Sequence, residues 1–194
     1  VIGFHPAFSP DMSLFTYFNP NASRYEVFAT DGSMQFSIPT QIGQVLRWSD
    51  VDQNAVLYQD VTGEGKDFAL NLYVYHLTTH QVTNLNEETG LEWTQAEWVP
   101  GEYAVFLSGQ AKTDEPGSRL YHYNLTTKTL TELRTFQPSL SRDLVPSPDG
   151  SSLLYEQYGI VDRETYSGIW RVDRDGSSLQ LTPTGRAAFW LYWK

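Results

Sequence analysis

The sequence predicts an all-β fold of four repeated units, because turn motifs and apolar strands recur at similar intervals. Each turn motif precedes a short apolar strand, and equivalent motif residues lie 40, 50 and 48 residues apart at Phe8, Trp48, Trp98 and Pro146. A second hairpin with alternating apolar residues follows in every unit. Self-similarity at this period indicates stacked supersecondary units. The pattern therefore predicts a β-propeller of about four recognisable four-stranded antiparallel blades, on its own or as part of a larger propeller.

The strands of each unit follow from two sets of residues. The strands after the turn motifs are expected at 14–18, 55–58, 103–107 and 153–155. The second hairpins are expected at 25–38, 72–85, 120–133 and 169–182, with matching positions at Phe28, Tyr75, Tyr123 and Val172. Two of these hairpins turn at Asp-Gly, which predicts two-residue turns whose central residues both have positive φ. No segment combines helix caps with a 3.6-residue period, so we expect almost no helix.

The repeats divide the chain into approximate units at 5–45, 46–95, 96–143 and 144–185, and 186–194 starts a further inner strand. Residues 1–194 are therefore interpreted as one propeller domain or a propeller segment. Two accounts stay open. The chain is a segment of a larger propeller, or it closes as a four-bladed ring whose tail, 187–194, supplies or covers an edge. An open stack would leave strand edges unpaired.

The fourth unit resembles a known repeat. Its Ser147-Pro148-Asp149-Gly150 turn, apolar strand, Asp175-Gly176 turn and closing Leu-Thr are similar to the WD40-like (PD40) repeat of TolB-type β-propellers. The first unit matches through 8–11 and its Asp-Gly turn, and the middle two match in outline. The resemblance implies a propeller fold. Propellers of this type include periplasmic scaffold proteins, lyases and the gating domains of prolyl-oligopeptidase-type enzymes, so fold alone does not assign a function.

Composition excludes several functions. The chain of 194 residues has 13 basic and 23 acidic side chains and a net charge of −10. This balance argues against binding nucleic acid or an anionic membrane, because both need clustered Lys and Arg. The absence of cysteine excludes disulfides and thiolate metal sites. No apolar run reaches the roughly 20 residues of a transmembrane helix, so we expect no direct membrane insertion by this segment.

A partner-binding rim is the strongest candidate site. Propeller topology places the segments 59–71, 108–119 and 156–168 on one rim, and they are expected to be long loops. The candidate contact residues on them are acidic or aromatic: Asp60, Glu64, Asp67, Asp114, Glu115, Tyr158, Asp162, Glu164 and Tyr166. Complementary charge steers association, so the rim predicts a basic or polar protein partner. The alternative is that these polar loops only keep the protein soluble.

Other motifs are weaker. Residues 50–54 resemble the start of a calcium loop, but Ala55 and Val61 replace the glycine and glutamate that such a loop needs. His76 and His80 are expected to flank a hairpin turn, and His5 and His122 have no fixed partner in the sequence. The glycines of 63–67 lack the spacing of a phosphate loop. We therefore expect no metal, no cofactor and no catalytic residue. The apolar tail 189–193 is interpreted as a buried inner strand, and the alternative is an exposed anchor for a partner.

Three function classes fit these observations. The leading hypothesis is a noncatalytic, extracytoplasmic protein-binding or scaffold propeller, periplasmic or at the cell surface. It would be a subunit of an assembly or the sensor region of a membrane-anchored protein, with any tether outside this sequence. Because the chain opens at Val1, a removed initiator, signal peptide or anchor is compatible with it. The alternative is the accessory propeller of a serine peptidase, although no Gly-x-Ser-x-Gly elbow occurs here. An enzyme with a site in the central channel is the weakest hypothesis.

Overall fold

The computed structural model describes residues 4–43, 46–63, 68–110, 118–136, 140–161 and 164–183. These residues form four antiparallel sheets of four strands, in which each strand pairs with its neighbour in sequence. Sheet 1 contains β1 (Phe4–Phe8), β2 (Leu14–Asn19), β3 (Arg24–Ala29) and β4 (Met34–Pro39). Sheet 2 contains β5 (Arg47–Trp48), β6 (Ala55–Thr62), β7 (Ala69–His76) and β8 (Gln81–Asn84).

The second half of the chain repeats this order. Sheet 3 contains β9 (Glu92–Trp98), β10 (Ala104–Gln110), β11 (Ser118–Asn124) and β12 (Thr129–Phe136). Sheet 4 contains β13 (Leu140–Pro146), β14 (Ser152–Val161), β15 (Glu164–Asp173) and β16 (Ser178–Gln180). Within the described ranges the one helix is the short α1 (Leu85–Thr89). The predicted all-β fold of repeated four-stranded sheets is confirmed.

The register of the sheets matches the repeat found in the sequence. In every sheet the last residue of the first strand pairs with the second residue of the second strand: Phe8 with Phe15, Trp48 with Val56, Trp98 with Val105 and Pro146 with Leu153. The third strand then places its matching residue opposite: Phe28, Tyr75, Tyr123 and Val172. Both predicted sets of equivalent residues are confirmed.

The motif residues end the first strands, and this shifts where the sheets begin. β9 begins at Glu92 and β13 at Leu140, four residues before the approximate unit starts at 96 and 144. The shift arises because Trp98 and Pro146 mark the turn after a strand, while the polar residues before them give a weak strand signal. The predicted inner strand at 186–194 and the apolar tail 189–193 lie outside the described residues and stay predictions.

The outer hairpin turns differ from the expected two-residue turns. In sheet 1 the Gly32 N–H donates to Ala29 O over 2.9 Å, and the Ala29 N–H donates to Ser33 O over 2.9 Å. The loop therefore has three residues, of which only Gly32 has positive φ, at 87°. Asp31 avoids that conformation, and its carboxylate accepts the Ser33 N–H over 2.8 Å. The equivalent positive-φ positions in the other sheets recur every 48 residues, at His80, Lys128 and Gly176.

The Ser-Pro-Asp turn of the resembled repeat is a hydrogen-bonded cap. In sheet 4 the Ser147 N–H donates to Ser152 O over 2.8 Å, and the Ser152 N–H donates to Ser147 Oγ over 2.9 Å. Asp149 Oδ1 accepts from Ser147 Oγ and from Ser151 N, over 2.6 and 3.0 Å. These hydrogen bonds lower the pKa of Asp149 to about 2. Sheet 1 repeats the arrangement with Ser9, Asp11, Ser13 and Leu14.

The chain divides into two compact units, Val1–Glu88 and Thr89–Lys194. In the first unit, sheets 1 and 2 share one hydrophobic cluster that includes Tyr25, Val27, Val56 and Tyr75. In the second unit, sheets 3 and 4 share another, whose members include fully buried residues of both sheets: Phe106, Leu120, Leu153 and Tyr155. Successive side chains of a strand point to opposite faces, so one set of apolar residues on each strand packs in a core between two sheets.

Candidate functional site

Strands extend into all three segments of the predicted rim. β6 continues to Thr62 and β7 begins at Ala69, while β14 continues to Val161 and β15 begins at Glu164. β10 and β11 likewise extend into 108–119. Polar residues obscured these extensions in the sequence, because they interrupt the apolar alternation that predicts a strand. The expected long loop at 156–168 is therefore wrong, because strand residues occupy all of this segment except 162 and 163, which lie outside the described residues. In the other two segments, residues 64–67 and 111–117 lie outside the described part, so the expected loops there stay predictions.

Only part of the predicted contact set can be placed. Asp60 lies on β6 and Tyr158 on β14. The backbone of Glu164 and Tyr166 lies on β15, where Tyr166 pairs with Gly159, but their side chains are outside the described part. The remaining predicted contacts fall on residues that lie outside the described ranges: Glu64, Asp67, Asp114, Glu115 and Asp162.

The Asp60 carboxylate has a structural role as well as a charge. Its Oδ1 accepts the Gln41 N–H over 2.7 Å and the Val61 N–H over 2.8 Å, so it ties the segment after β4 to the hairpin. Burial, and then the charge of Asp60, raise the pKa values of Tyr58 and Tyr73. Their rings stack with centroids 5.3 Å apart. Asp60 is thus a half-buried acceptor beside neutral phenols and not a free side chain at a loop tip.

Tyr158 belongs to a three-residue cluster with Arg142 and Glu156 in sheet 4. Arg142 donates from Nε to Glu156 Oε2 over 2.8 Å and from Nη2 to Oε1 over 2.9 Å. The Glu156 side chain is 0% exposed, while that of Arg142 is 38% exposed. The guanidinium carbon lies 4.5 Å from the centroid of the Tyr158 ring. The pair with Glu156 raises the pKa of Arg142, so the cluster holds a fixed cation against an aromatic ring.

A β-bulge positions Arg142. The pairing of β13 with β14 shifts register between Arg142 and Val145, and Asp143 within it has φ of 54°. A bulge re-aims the side chains beside it and is common near functional sites. The sequence prediction missed Arg142 and Glu156. The available signal was the polar Ser-Arg-Asp run in an inner strand, which is unusual unless its side chains are paired.

Buried hydroxyls connect this cluster to sheet 3 within the same unit. Ser108 Oγ lies 2.6 Å from Ser141 Oγ, and the Ser141 N–H donates to Ser118 Oγ over 3.3 Å. All three serines are buried. Because Ser141 precedes Arg142 on β13, these bonds fix the backbone that carries the guanidinium. These buried hydrogen bonds therefore support the position of Arg142 on β13.

The turn end of the second unit holds another charged cluster. Arg174 donates to both oxygens of Glu102, over 2.6 and 3.2 Å, and so connects the outer turn of sheet 4 to sheet 3. His122 Nε2 lies 3.5 Å from Glu102 Oε2. Burial and the charge of Arg174 lower the pKa of His122 more than Glu102 raises it. His122 is therefore expected to be neutral at physiological pH.

His76, His80 and the calcium-like turn have local roles. His76 Nε2 lies 3.5 Å from Asp52, and His80 Nδ1 lies 2.8 Å from the Tyr75 hydroxyl. In the 50–54 turn, the Asn54 N–H donates to Asp52 Oδ1 over 2.9 Å. Among the described residues, no group of three or more His, Asp or Glu side chains is placed to hold a metal ion. In the same part of the chain, no helix has the length and apolarity needed to span a membrane.

The cluster of Arg142, Glu156 and Tyr158 has features that are typical of a protein-binding surface. Both oxygens of Glu156 bind Arg142, and Arg142 presents a partly exposed planar face on Tyr158. Arginine and tyrosine are the residue types that most often dominate protein interfaces. β14 and β15 pair with each other as far as Val161 and Glu164, past the last pairs with β13 and β16. The cluster thus lies at the base of a projecting hairpin.

Comparisons with known proteins identify the fold. Neither models of protein families nor curated protein sequences match the chain. Solved structures do: TolB from Acinetobacter baumannii superposes with a TM-score of 0.65 at 17% identity, over 95% of this chain and 44% of that one. An oligogalacturonate lyase in complex with manganese gives 0.65 at 15% identity, over 92% and 52%. A structure from a study of two prolyl endopeptidases gives 0.67 at 12%, over 95% and 29%.

These likenesses establish the fold and no activity. The chain is all-β and is built of sheets like those of the TolB-type propellers. It spans about half of the first two of these structures and less of the third. Because the three proteins carry different functions on similar sheets, a function has to be argued from the residues of this chain.

Proposed function

We propose that the chain is a noncatalytic protein-binding propeller, or a segment of one, that works outside the cytoplasm as an assembly subunit or as a sensor region. The observation that carries the proposal is the hydrogen-bonded cluster of Arg142, Glu156 and Tyr158 at the base of the β14–β15 hairpin. The resemblance of the fourth unit to TolB-type repeats supports the extracytoplasmic location.

The proposed contact surface is the hairpin rim predicted from the sequence. It comprises Asp60, Glu64, Asp67, Asp114, Glu115, Tyr158, Asp162, Glu164 and Tyr166, and we add Arg142 because it contacts Tyr158. Its acidic side chains favour a basic or polar protein partner and disfavour nucleic acid. The aromatic side chains would supply contact area at a low entropy cost.

Binding kinetics test this surface once a partner has been isolated from the cells that produce the protein. Tyr158→Ala should speed dissociation about tenfold or more, because it removes a preorganised aromatic contact. Tyr158→Phe keeps the ring over Arg142 and should dissociate like the wild type within a factor of about three. Equal rates for Tyr158→Ala and wild type would exclude this cluster from the interface.

Charge contributes to the rate of association. Asp60→Asn keeps an oxygen that can accept the Gln41 and Val61 N–H groups while it removes the charge. It should slow association and flatten its dependence on salt, with little change in dissociation. The matched control is Asp175→Asn, which removes the same charge from the turn between β15 and β16. That turn is at the end of sheet 4 opposite the β14–β15 hairpin. An equal effect of both variants would indicate general electrostatic steering and contradict a contact at Asp60.

A second candidate is an accessory propeller that controls substrate access to a prolyl-oligopeptidase-like serine peptidase. The likeness to the prolyl endopeptidase structure over 95% of this chain and 29% of that one favours it. The hydrolase domain would then lie in a segment outside this sequence. Sequencing the full gene distinguishes the two: a downstream hydrolase domain with a Gly-x-Ser-x-Gly elbow would favour the gating function over the scaffold.

A further inference from the structure

Arg134 packs against aromatic rings between sheets 3 and 4. Its guanidinium carbon lies 4.6 Å from the centroid of the Trp170 ring and 5.4 Å from that of Phe136. Tyr155 pairs with Trp170 across β14 and β15, and its ring centroid lies 5.1 Å from that of Phe136. These four residues are called the Arg134 cluster. Both sheets that enclose the cluster belong to the second unit, so both of its walls are described.

The charge of Arg134 lacks a counter-ion in the part of the chain that the structure describes. No carboxylate there lies within ion-pair distance of its half-buried side chain. The rings stabilise the cation through its face and leave the N–H groups at its edge without acceptors. Five other arginines pair with a carboxylate: Arg24 with Glu26, Arg119 with Glu132, Arg142 with Glu156, Arg171 with Asp173 and Arg174 with Glu102.

Two buried donors of the cluster have no acceptor. Neither Arg134 Nε nor the Tyr155 hydroxyl has a hydrogen-bond partner among the described residues, and Tyr155 is 0% exposed. Burial raises the pKa of Tyr155, and the charge of Arg134 opposes this shift because the two groups are close. Buried polar groups are nearly always hydrogen-bonded in folded proteins. The cluster therefore offers donors to an acceptor that the described residues do not supply.

The repeat does not explain the arginine. Arg134 is aligned with Asn86 and Thr182, which lie 48 residues away on either side. The Leu72 N–H donates to Asn86 Oδ1 over 3.0 Å, and the Ile169 N–H donates to Thr182 Oγ1 over 3.1 Å. In sheets 2 and 4 the aligned side chain thus fixes the backbone of the third strand. An arginine side chain has no acceptor atom for this bond, so the fold of the sheet does not require it.

We propose that the Arg134 cluster binds a carboxylate. The edge of a guanidinium donates two parallel hydrogen bonds to the two oxygens of a carboxylate, and the Tyr155 hydroxyl supplies a further donor. One cation balances a singly charged carboxylate better than a doubly charged phosphate. The aromatic rings favour a ligand that carries an apolar group next to its carboxylate. The ligand would enter beside the half-buried Arg134, and this site does not depend on the proposed protein-binding function.

NMR titration of the isotope-labelled chain at neutral pH tests the site. The probes are acetate and benzoate, and benzamide is the neutral control. Acetate should shift the Arg134 Nε–H signal until it saturates, with a Kd of about 1–10 mM. Benzoate should bind about tenfold more tightly, because its ring adds apolar contact, and benzamide should leave the signal unchanged.

A blocked Ala-Glu-Ala peptide distinguishes two sources of the carboxylate. Binding of the peptide more tightly than benzoate would support the acidic side chain of a partner protein as the ligand. Tighter binding of benzoate would support a free small molecule.

Matched variants separate this site from general charge. Arg134→Lys keeps the charge but loses the planar fork, and should weaken benzoate binding about tenfold, as read from the Trp170 indole N–H signal. Tyr155→Phe should weaken it severalfold. Without ligand, that variant should have the same Tm as the wild type or a higher one, because its hydroxyl has no bond to lose. Arg174→Lys, at an arginine already paired with Glu102, is the control and should leave benzoate binding unchanged.

Several results would overturn the proposal. Shifts that rise linearly without saturation would show that no carboxylate site exists. Equal losses of benzoate affinity in Arg134→Lys and Arg174→Lys would leave only general charge attraction. A lower Tm of Tyr155→Phe without ligand would show that the hydroxyl is already bonded within the protein. Thermal unfolding of each variant shows that it is folded.

Discussion

Arg142 and Glu156 should contribute unequally to stability, because their exposures differ. The Glu156 side chain is 0% exposed and that of Arg142 is 38% exposed. Arg142→Met removes the guanidinium that both Glu156 oxygens bind and leaves a carboxylate in the interior. Because water can partly enter the vacated place, we expect a loss of about 2–4 kcal/mol, at or below the usual cost of breaking a buried pair. Glu156→Gln leaves a cation that can turn toward water, and should cost about 1 kcal/mol.

Urea unfolding of the two single variants and the double variant measures this difference. Arg142→Met/Glu156→Gln should be more stable than Arg142→Met alone by about 1–2 kcal/mol, because the buried negative charge is gone. Near the midpoint, each kcal/mol corresponds to about 2–4 °C in Tm for a chain of this size. The two units of the chain need not unfold together, so the comparison requires the same m-value in the wild type and in every variant. The argument from burial would be refuted if the two single variants lost equal free energy of unfolding. It would also be refuted if the loss in the double variant equalled the sum of the two single losses.

Three further outcomes follow from the described contacts. Phe106→Ala should lower the free energy of unfolding by about 3–5 kcal/mol, because Phe106 is fully buried between sheets 3 and 4. The control is Phe68→Ala, at a side chain 60% exposed, which should change the free energy of unfolding by less than about 0.5 kcal/mol in the same urea titration. Trp98→Ala should also cost about 3–5 kcal/mol, measured as a shift in the urea midpoint, and a smaller loss than for Phe68→Ala would contradict its buried position. Because the pKa of His122 is lowered in the folded protein, the unfolded chain binds the proton more readily. Stability should therefore fall as the pH drops below about 6.5. In that pH window, Tm should depend less on pH in His122→Gln than in the wild type.

The repeat made the fold predictable from sequence. Trp48, Trp98, Tyr75 and Tyr123 are bulky, sit at regular spacing and lie beside turn motifs, so each signals its place in a sheet independently. Their equivalence required no knowledge of long-range contacts, because each sheet forms from consecutive strands. Trp93 was missed, although it is 2% exposed, because it lies outside the repeated pattern.

The candidate site was less predictable because its contacts join residues far apart in sequence. Tyr158 could be chosen as an aromatic in a polar segment, but its contact with Arg142 depends on the β13–β14 register and on the bulge at Asp143. Asp60 was expected on a long loop but lies on β6, and its bond to the Gln41 N–H joins residues 19 apart in the sequence.

Site-specific photo-crosslinking in the cells that produce the protein tests the proposed function most directly. A photoreactive amino acid would replace Tyr158 or Asp60 on the hairpin rim, and Thr127 in the outer turn of sheet 3 would be the control position. The account predicts a discrete crosslinked protein partner from the two rim positions and none from Thr127. Crosslinks from Thr127 with none from the rim would show that the partner binds the opposite end of the sheets, and would contradict the proposal.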